Sequence, residues 1–113
     1  MKRRHKYSAQ RTEVDGISFS SKAEARRYSE LALLQKQGHI RELTLQPRYD
    51  LIVNGMKCGF YKADFRYLDN RSSQRIVEDV KGFRTETYNL KKKLVFALYG
   101  VEIQEIGKKG RAR

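Results

Sequence analysis

Two short segments rich in aromatic and β-branched residues constrain the fold of this chain most strongly. Residues 61–68 and residues 75–81 are separated by a polar stretch, residues 69–74. This pattern is typical of two antiparallel strands joined by a turn. If the hairpin is symmetric about the middle of that turn, Asp64 lies directly opposite Asp79.

The two aspartates define a candidate metal site. Side chains alternate faces along a strand, so Lys81 lies on the face of Asp79 while Glu78 points to the other side. Two carboxylates about 5 Å apart repel each other by roughly 3 kcal/mol at an effective dielectric of about 20. A divalent cation would reverse the sign, because Mg²⁺ accepts a few carboxylates together with water and a phosphate. The alternative is that each aspartate pairs with one of the many nearby arginines and lysines.

The composition predicts one basic domain. The chain has 113 residues, 39% of them hydrophobic, which suits a single compact unit that buries roughly two thirds of its unfolded surface. A net charge of +12 spread through every segment predicts a polyanionic partner, with nucleic acid ahead of a membrane surface. The alternative is a solvated basic surface that only aids solubility. A basic arm, residues 1–11, and a basic tail, residues 107–113, are expected to be flexible.

Cysteine usage and hydropathy narrow the class further. Cys58 is the only cysteine, which excludes an internal disulfide framework and zinc-finger spacing. No apolar run approaches the roughly 18 residues that span a bilayer, and no signal-peptide core is present at the N-terminus. We therefore expect a cytoplasmic protein without a membrane partner.

A first helix is predicted from about residue 20 to residue 37. Ser21 can cap its start and Gly38 can end it. Glu24 falls in angle within the apolar stripe, so its carboxylate points towards the core. Two interpretations stay open, because Ser21 and Glu24 also have the spacing of a capping box. A capping box accepts Gln as readily as Glu, whereas a metal ligand or proton-transfer group needs the charge. The stripe consists of Ala25, Tyr28, Leu31 and Ala32.

A second helix is predicted to begin at Thr85 or Thr87 and to end at Gly100. Its lysines and the preceding Arg84 follow closely after the candidate metal site, so contact with a substrate backbone is one interpretation. The other is that they form an ordinary solvated face. Lys92 lies opposite the expected buried stripe, with Lys91 and Lys93 beside it. That stripe consists of Leu90, Leu94, Ala97 and Leu98.

The remaining segments complete a small mixed sheet. Asp15-Gly16 and Asn54-Gly55 predict tight hairpin turns, and Pro47 interrupts an extended region between them. Residues 101–106 form a last strand that follows a helical crossover, so it is expected to run parallel to the strand before that helix. The order of elements predicts an α/β or α+β fold in which two helices flank a mixed sheet and the strands between the helices form an antiparallel meander.

Three features of the chain resemble the PD-(D/E)xK nuclease superfamily. They are Glu24 on an early helix, Asp64 on one strand and Asp79-Val80-Lys81 on the next strand. More narrowly, the chain is similar to small phage-encoded nucleases related to Holliday-junction resolvases. The motifs that carry this narrower similarity are Glu13-Val14-Asp15-Gly16, Ser21-Lys22-x-Glu24-Ala25-x-Arg27-Tyr28, Leu45-Gln46-Pro47, Tyr61-x-Ala63-Asp64-Phe65, residues 77–82 and Lys91-Lys92-Lys93-Leu94.

The resemblance implies a restriction-endonuclease-like core and a role for each site residue. Asp64, Asp79 and the carbonyl of Val80 would bind the metal, Lys81 would be the catalytic lysine, and Glu24 would be the acid on the helix. Ala63 stands where the superfamily's name has proline. A bulge in the strand would exchange the roles of Glu78 and Asp79.

The activity implied by the resemblance is hydrolysis of DNA phosphodiester bonds, leaving a 5′-phosphate, with Mg²⁺ or Mn²⁺ and no small-molecule cofactor. Branched, Holliday-junction-like DNA or duplex DNA with little sequence preference is the expected substrate. A homodimer acting in the cytoplasm of a bacterial host is expected. The alternative from another class is a basic nucleic-acid-binding protein without catalysis, in which the acids only neutralise arginines.

Overall fold

The computed structural model describes residues 11–81 and 83–107. The predicted arm and tail therefore lie outside the described residues, except for Arg11 and Gly107, and so does Gly82. In chain order the elements are β1 (Thr12–Val14), β2 (Ile17–Phe19), α1 (Lys22–Lys36), β3 (Ile40–Leu45), β4 (Arg48–Val53), β5 (Met56–Lys62), β6 (Phe65–Asp69), β7 (Arg75–Val80), α2 (Glu86–Tyr99) and β8 (Ile103–Ile106).

A four-stranded mixed sheet lies at the centre, in the order β3-β6-β7-β8. Strand β6 pairs antiparallel with both β3 and β7, whereas β8 pairs parallel with β7 after the α2 crossover. The predicted α+β class, with two helices and a mixed sheet, is confirmed. The predicted continuous meander is wrong, because β4 and β5 leave the central sheet and form a hairpin of their own. Pro47, which has no backbone N–H for a ladder, stands between β3 and β4.

Both predicted tight turns are confirmed. Asp15 and Gly16 have φ angles of 54° and 77°, and Asn54 and Gly55 have φ angles of 50° and 80°. Two consecutive residues with positive φ are the mark of a type I′ turn, whose twist matches that of the flanking strands.

The central sheet separates two apolar layers. One layer joins α1 and the β1–β2 hairpin to the sheet and contains Phe19, Ala25, Leu31, Ile40, Phe65 and Tyr67. The other joins α2 and the β4–β5 hairpin to the opposite face and contains Tyr49, Leu51, Tyr61, Ala63, Val77, Tyr88, Val95 and Ile103. Because strand residues alternate between these layers, neighbours in β7 face different helices. Neither helix in the described part of the chain has the length and apolar character needed to cross a membrane.

Helix α2 packs mainly through residues outside the predicted stripe, although Leu94 of that stripe also packs against the core. Its ends agree with the sequence, since Thr85 is the N-cap and Gly100, with φ 70°, is the C-cap. However, Tyr88 and Val95 are the buried residues, and Leu90 of the predicted stripe is 59% exposed. The helix carries apolar residues on two sides. Which side is buried depends on the surface that the helix packs against, and that surface includes a buried acid on β8.

Candidate active site

The register of the β6–β7 hairpin brings the two predicted metal ligands together. The ladder ends at the pair Phe65–Glu78, and Asp64 and Asp79 lie one residue beyond that pair, close enough for each carboxylate to act on the other. The backbone N–H of Asp64 donates to the Glu78 carbonyl at 3.0 Å. Its carboxylate accepts a hydrogen bond of 2.7 Å from the N–H of Val80, which fixes the orientation of that side chain.

The charges that act most strongly on Asp64 are those of two acids. Burial, the neighbouring Asp79 carboxylate and, more weakly, Glu24 raise the pKa of Asp64 to about 8, although the Val80 N–H acts in the opposite direction. A carboxylate paired with an arginine has its pKa lowered instead. Asp64 therefore lies in a group of acids that favours binding of an additional cation.

Asp79 contacts an ammonium and a phenol. Lys81 Nζ lies 3.4 Å from Asp79 Oδ1, as expected from their shared strand face, and 4.2 Å from the centre of the Tyr88 ring. The Tyr61 hydroxyl donates to Asp79 Oδ2. Sequence reasoning identified the acid and the lysine but not the two tyrosines, whose alternation with Ala63 and position on α2 gave no sign of a polar role.

Glu24 contributes to both of the interpretations that the sequence left open. Its backbone N–H donates to Ser21 Oγ at 3.1 Å, so Ser21 caps α1. Its carboxylate accepts from Ser20 Oγ at 2.6 Å and is 7% exposed. A cavity of about 150 Å³ is lined by both Glu24 and Asp64. The main chain and the hydroxyl thus form the cap, while the carboxylate faces the acids of the candidate site.

Glu78 is on the other side of the sheet, so the exchange of roles by a bulge is wrong. Arg27 on α1 donates to both Glu78 oxygens, at 2.8 Å and 2.7 Å, and the Tyr67 hydroxyl donates to one of them. The residue is 2% exposed. This pair joins α1 to β7 and fixes the helix that carries Glu24.

The four predicted DNA contacts occupy three different environments. Arg84 and Lys92 both bind the carboxylate of Glu105, at 2.7 Å and 3.0 Å. Lys91 Nζ lies 5.5 Å from the centre of the Phe60 ring. Lys93 is exposed. The expectation that Lys92 lies opposite the packed face of α2 is wrong, because its ammonium reaches the buried acid on β8.

The donor set suits a hard divalent cation whose remaining ligands come from water and substrate. Among the residues that the structure describes, no group of three or more His, Cys, Asp or Glu side chains is placed to hold a metal by itself. Mg²⁺ is commonly bound by one or two carboxylates, with water and substrate phosphates completing its octahedron. Asp64 and Asp79 fit that pattern, and the main-chain carbonyl of Val80 as a further ligand stays a prediction.

The comparisons with known proteins add a family and no activity. The chain belongs to the family described as "Protein of unknown function (DUF1064)", whose model matches residues 4–107. No curated protein and no solved structure matches the chain significantly.

Proposed function

We propose that this member of the DUF1064 family is a divalent-metal-dependent DNA endonuclease of the PD-(D/E)xK type, in the Holliday-junction-resolvase-like branch. Its substrate is branched or duplex DNA, cut with little sequence preference. The observation that carries the proposal is the proximity of Asp64 and Lys81 to Asp79 at the end of the β6–β7 hairpin, with acids as the charges that act most strongly on Asp64. The net charge of +12 supports attraction to a polyanionic backbone.

Each residue has a role that follows from its chemistry. Asp64, Asp79 and the Val80 carbonyl hold Mg²⁺ or Mn²⁺, which, when bound, polarises a phosphoryl oxygen and acidifies a water molecule. Lys81 orients the attacking water and offsets negative charge that develops on the phosphate in the transition state. Glu24 extends the acidic group from α1 to the edge of the site.

The rival function is binding of nucleic acid without catalysis, with the acids serving only to neutralise arginines. A neutralised acid has a lowered pKa, and the chain contains such a case in Glu105, whose pKa Arg84 and Lys92 lower to about 2. The pKa of Asp64 moves the other way. The contrast favours the nuclease over the binding-only protein.

The decisive experiment incubates the purified full chain with supercoiled plasmid and with a synthetic four-way junction, each with Mg²⁺, Mn²⁺ or EDTA. We expect cleavage with either metal and none with EDTA, and we expect 5′-phosphate ends that a ligase reseals. Lys81→Ala should abolish cleavage and keep DNA binding, whereas Lys36→Ala, at the exposed end of α1, should change neither. Clean protein that binds DNA and cuts neither substrate with any metal would favour the rival.

A homodimer accompanies this proposal, because cutting a junction symmetrically needs two active sites. It is supported by the apolar stripe of α2 that the sequence predicts to be buried and the single chain leaves largely exposed, with Leu90 59% and Leu98 40% accessible. A second copy would remove this stripe from water. Sedimentation of wild type at twice the chain mass, and of Leu90→Lys as a monomer, is expected. Leu33→Lys on α1, which is 54% exposed, should leave the mass unchanged.

A further inference from the structure

A second acid lies beside the candidate site and has a different set of neighbours. Glu105 on β8 is the register partner of Asp79 on β7. Paired residues on adjacent strands point to the same face, so Glu105 also faces α2. It is buried, and nothing in the alternating pattern of that strand indicated a functional role for it.

Both oxygens of Glu105 are occupied by cations. Oε1 accepts from Arg84 Nε and pairs with its terminal nitrogen Nη2, each at 2.7 Å. Oε2 accepts from Lys92 Nζ at 3.0 Å and from the Tyr88 hydroxyl at 2.9 Å. The carboxylate therefore holds two cations from two elements, the segment before α2 and α2 itself, in one place.

One acid neutralises only one of these two cations. The group formed by Glu105, Arg84 and Lys92 carries a net charge of +1, and the two cationic side chains are 44% and 34% exposed. Arg84 uses one edge of its guanidinium for the carboxylate, and a guanidinium has five N–H donors, so others remain for an anion. Arginine matches phosphate oxygens in geometry as well as in charge.

Tyr88 links this cation pair to the candidate metal site. Its hydroxyl binds Glu105, and Lys81 Nζ lies 4.2 Å from its ring centre. The ring of Tyr88 thus lies between Lys81 of the candidate site and the carboxylate of Glu105 that holds the cation pair. A nucleic-acid strand whose scissile phosphate lay at Asp64 and Asp79 would carry a neighbouring phosphate past the pair.

We propose that Glu105 is a positioning residue that holds Arg84 and Lys92 as a clamp for a backbone phosphate next to the scissile one. The position of the clamp relative to the cut rests on the proposed nuclease function, while its affinity for phosphate does not. A purely structural acid would instead tie α2 to β8 without any part in DNA binding.

The substitution Glu105→Gln separates these roles because its effect on net charge should strengthen DNA binding, whereas its effect on the geometry of the cation pair should weaken it. It adds one positive charge to the chain, so electrostatics alone would tighten DNA binding. It also removes the charge that holds both cations, because an amide accepts hydrogen bonds through only one of its two polar atoms. The clamp therefore predicts weaker binding from a more basic protein.

The test measures binding of a short fluorescent DNA duplex by anisotropy, in EDTA and over a range of salt concentrations, with the full chain. We expect Glu105→Gln to weaken binding by roughly 3- to 10-fold and Arg84→Ala to lower the salt slope by about one phosphate contact. If both residues act through the clamp, the double variant Arg84→Ala/Glu105→Gln should lose less binding free energy than the sum of the two single losses. Independent effects would give the full sum. Lys36→Ala is the matched control for loss of a lysine away from this face.

Unchanged or tighter binding by Glu105→Gln, with an unaltered salt slope for Arg84→Ala and Lys92→Ala, would overturn the clamp. If Glu105→Gln does not fold, as judged by circular dichroism, the two alanine variants decide the question, because both replace partly exposed side chains. Because EDTA prevents metal-dependent cleavage, the result does not depend on whether the protein is a nuclease. With Mg²⁺ present, Arg84→Ala should raise KM and leave kcat nearly unchanged, as loss of uniform substrate binding requires.

Discussion

Asp64, at the end of the β6–β7 hairpin, and Glu105 on β8 both lie next to Asp79, yet the charges that act most strongly on them differ in sign. Asp79 and Asp64 lie together, and the pKa of Asp64 is raised to about 8 by burial and by Asp79. Glu105 lies among cations, and Arg84 and Lys92 lower its pKa to about 2. A carboxylate such as Glu105 is compensated within the chain. Lys81 offsets only one charge of the Asp64–Asp79 pair, and this difference is the basis for proposing that a metal binds between the two aspartates.

Replacing each register partner by its amide should give the largest contrast. Asp79→Asn removes a metal ligand, so we expect cleavage to fall by at least about 10²- to 10³-fold. In EDTA the same change relieves the repulsion on Asp64 and also removes the carboxylate that pairs with Lys81, so the free energy of unfolding should change little. Glu105→Gln should instead lower cleavage only several-fold and reduce stability, because it leaves Arg84 and Lys92 facing each other.

Plasmid cleavage and thermal unfolding of the two amide variants, in parallel, are the measurements. Asp50→Asn is the control for a change of one charge, since Asp50 is an exposed residue of the β4–β5 hairpin. Equal losses of activity in Asp79→Asn and Glu105→Gln would remove the distinction between the two acids.

The pH dependence of the free energy of unfolding should also distinguish Asp64 from Glu105. The pKa of Asp64 is higher in the folded chain than the usual 3.8, so the protonated form is favoured by folding. In EDTA, this group's contribution to stability should therefore decrease as pH rises from about 4 through about 8. Glu105 has a lowered pKa, so its contribution is present above about 4.5 and is lost as pH falls towards 2.

Divalent metal should abolish the pH dependence of stability that arises from Asp64 and leave the one that arises from Glu105. Mg²⁺ binds the charged carboxylates, so we expect it to raise Tm by roughly 5 °C at pH 8 and by much less at pH 5. Differential scanning calorimetry of wild type and Asp64→Asn, with Mg²⁺ or EDTA, measures this. An equal rise in Tm for Asp64→Asn would show that the ion binds elsewhere.

The parts of the site that depend on interactions between residues close in the sequence could be predicted, and the parts that depend on contacts between distant elements could not. Asp64, Asp79 and Lys81 were placed correctly because hairpin register and strand alternation are local rules. Tyr88 and Glu105 were not found, because their positions beside Asp79 depend on contacts between elements that are distant in the sequence. The same limit explains α2, where a buried carboxylate selects the face that contains Lys92 over a more apolar face.

Glu24 tests whether the acidic site extends to α1. We expect Glu24→Gln to reduce cleavage by about 10-fold, because it removes a charge that faces Asp64 across a shared cavity. It should leave Tm unchanged or slightly higher, since a like charge near Asp64 is lost. Ser21→Ala should show the converse, with Tm lowered by the loss of about 1 kcal/mol of capping energy and cleavage preserved. If Glu24→Gln lowered Tm and kept full activity, the carboxylate would belong to the cap and the acidic site would end at Asp64.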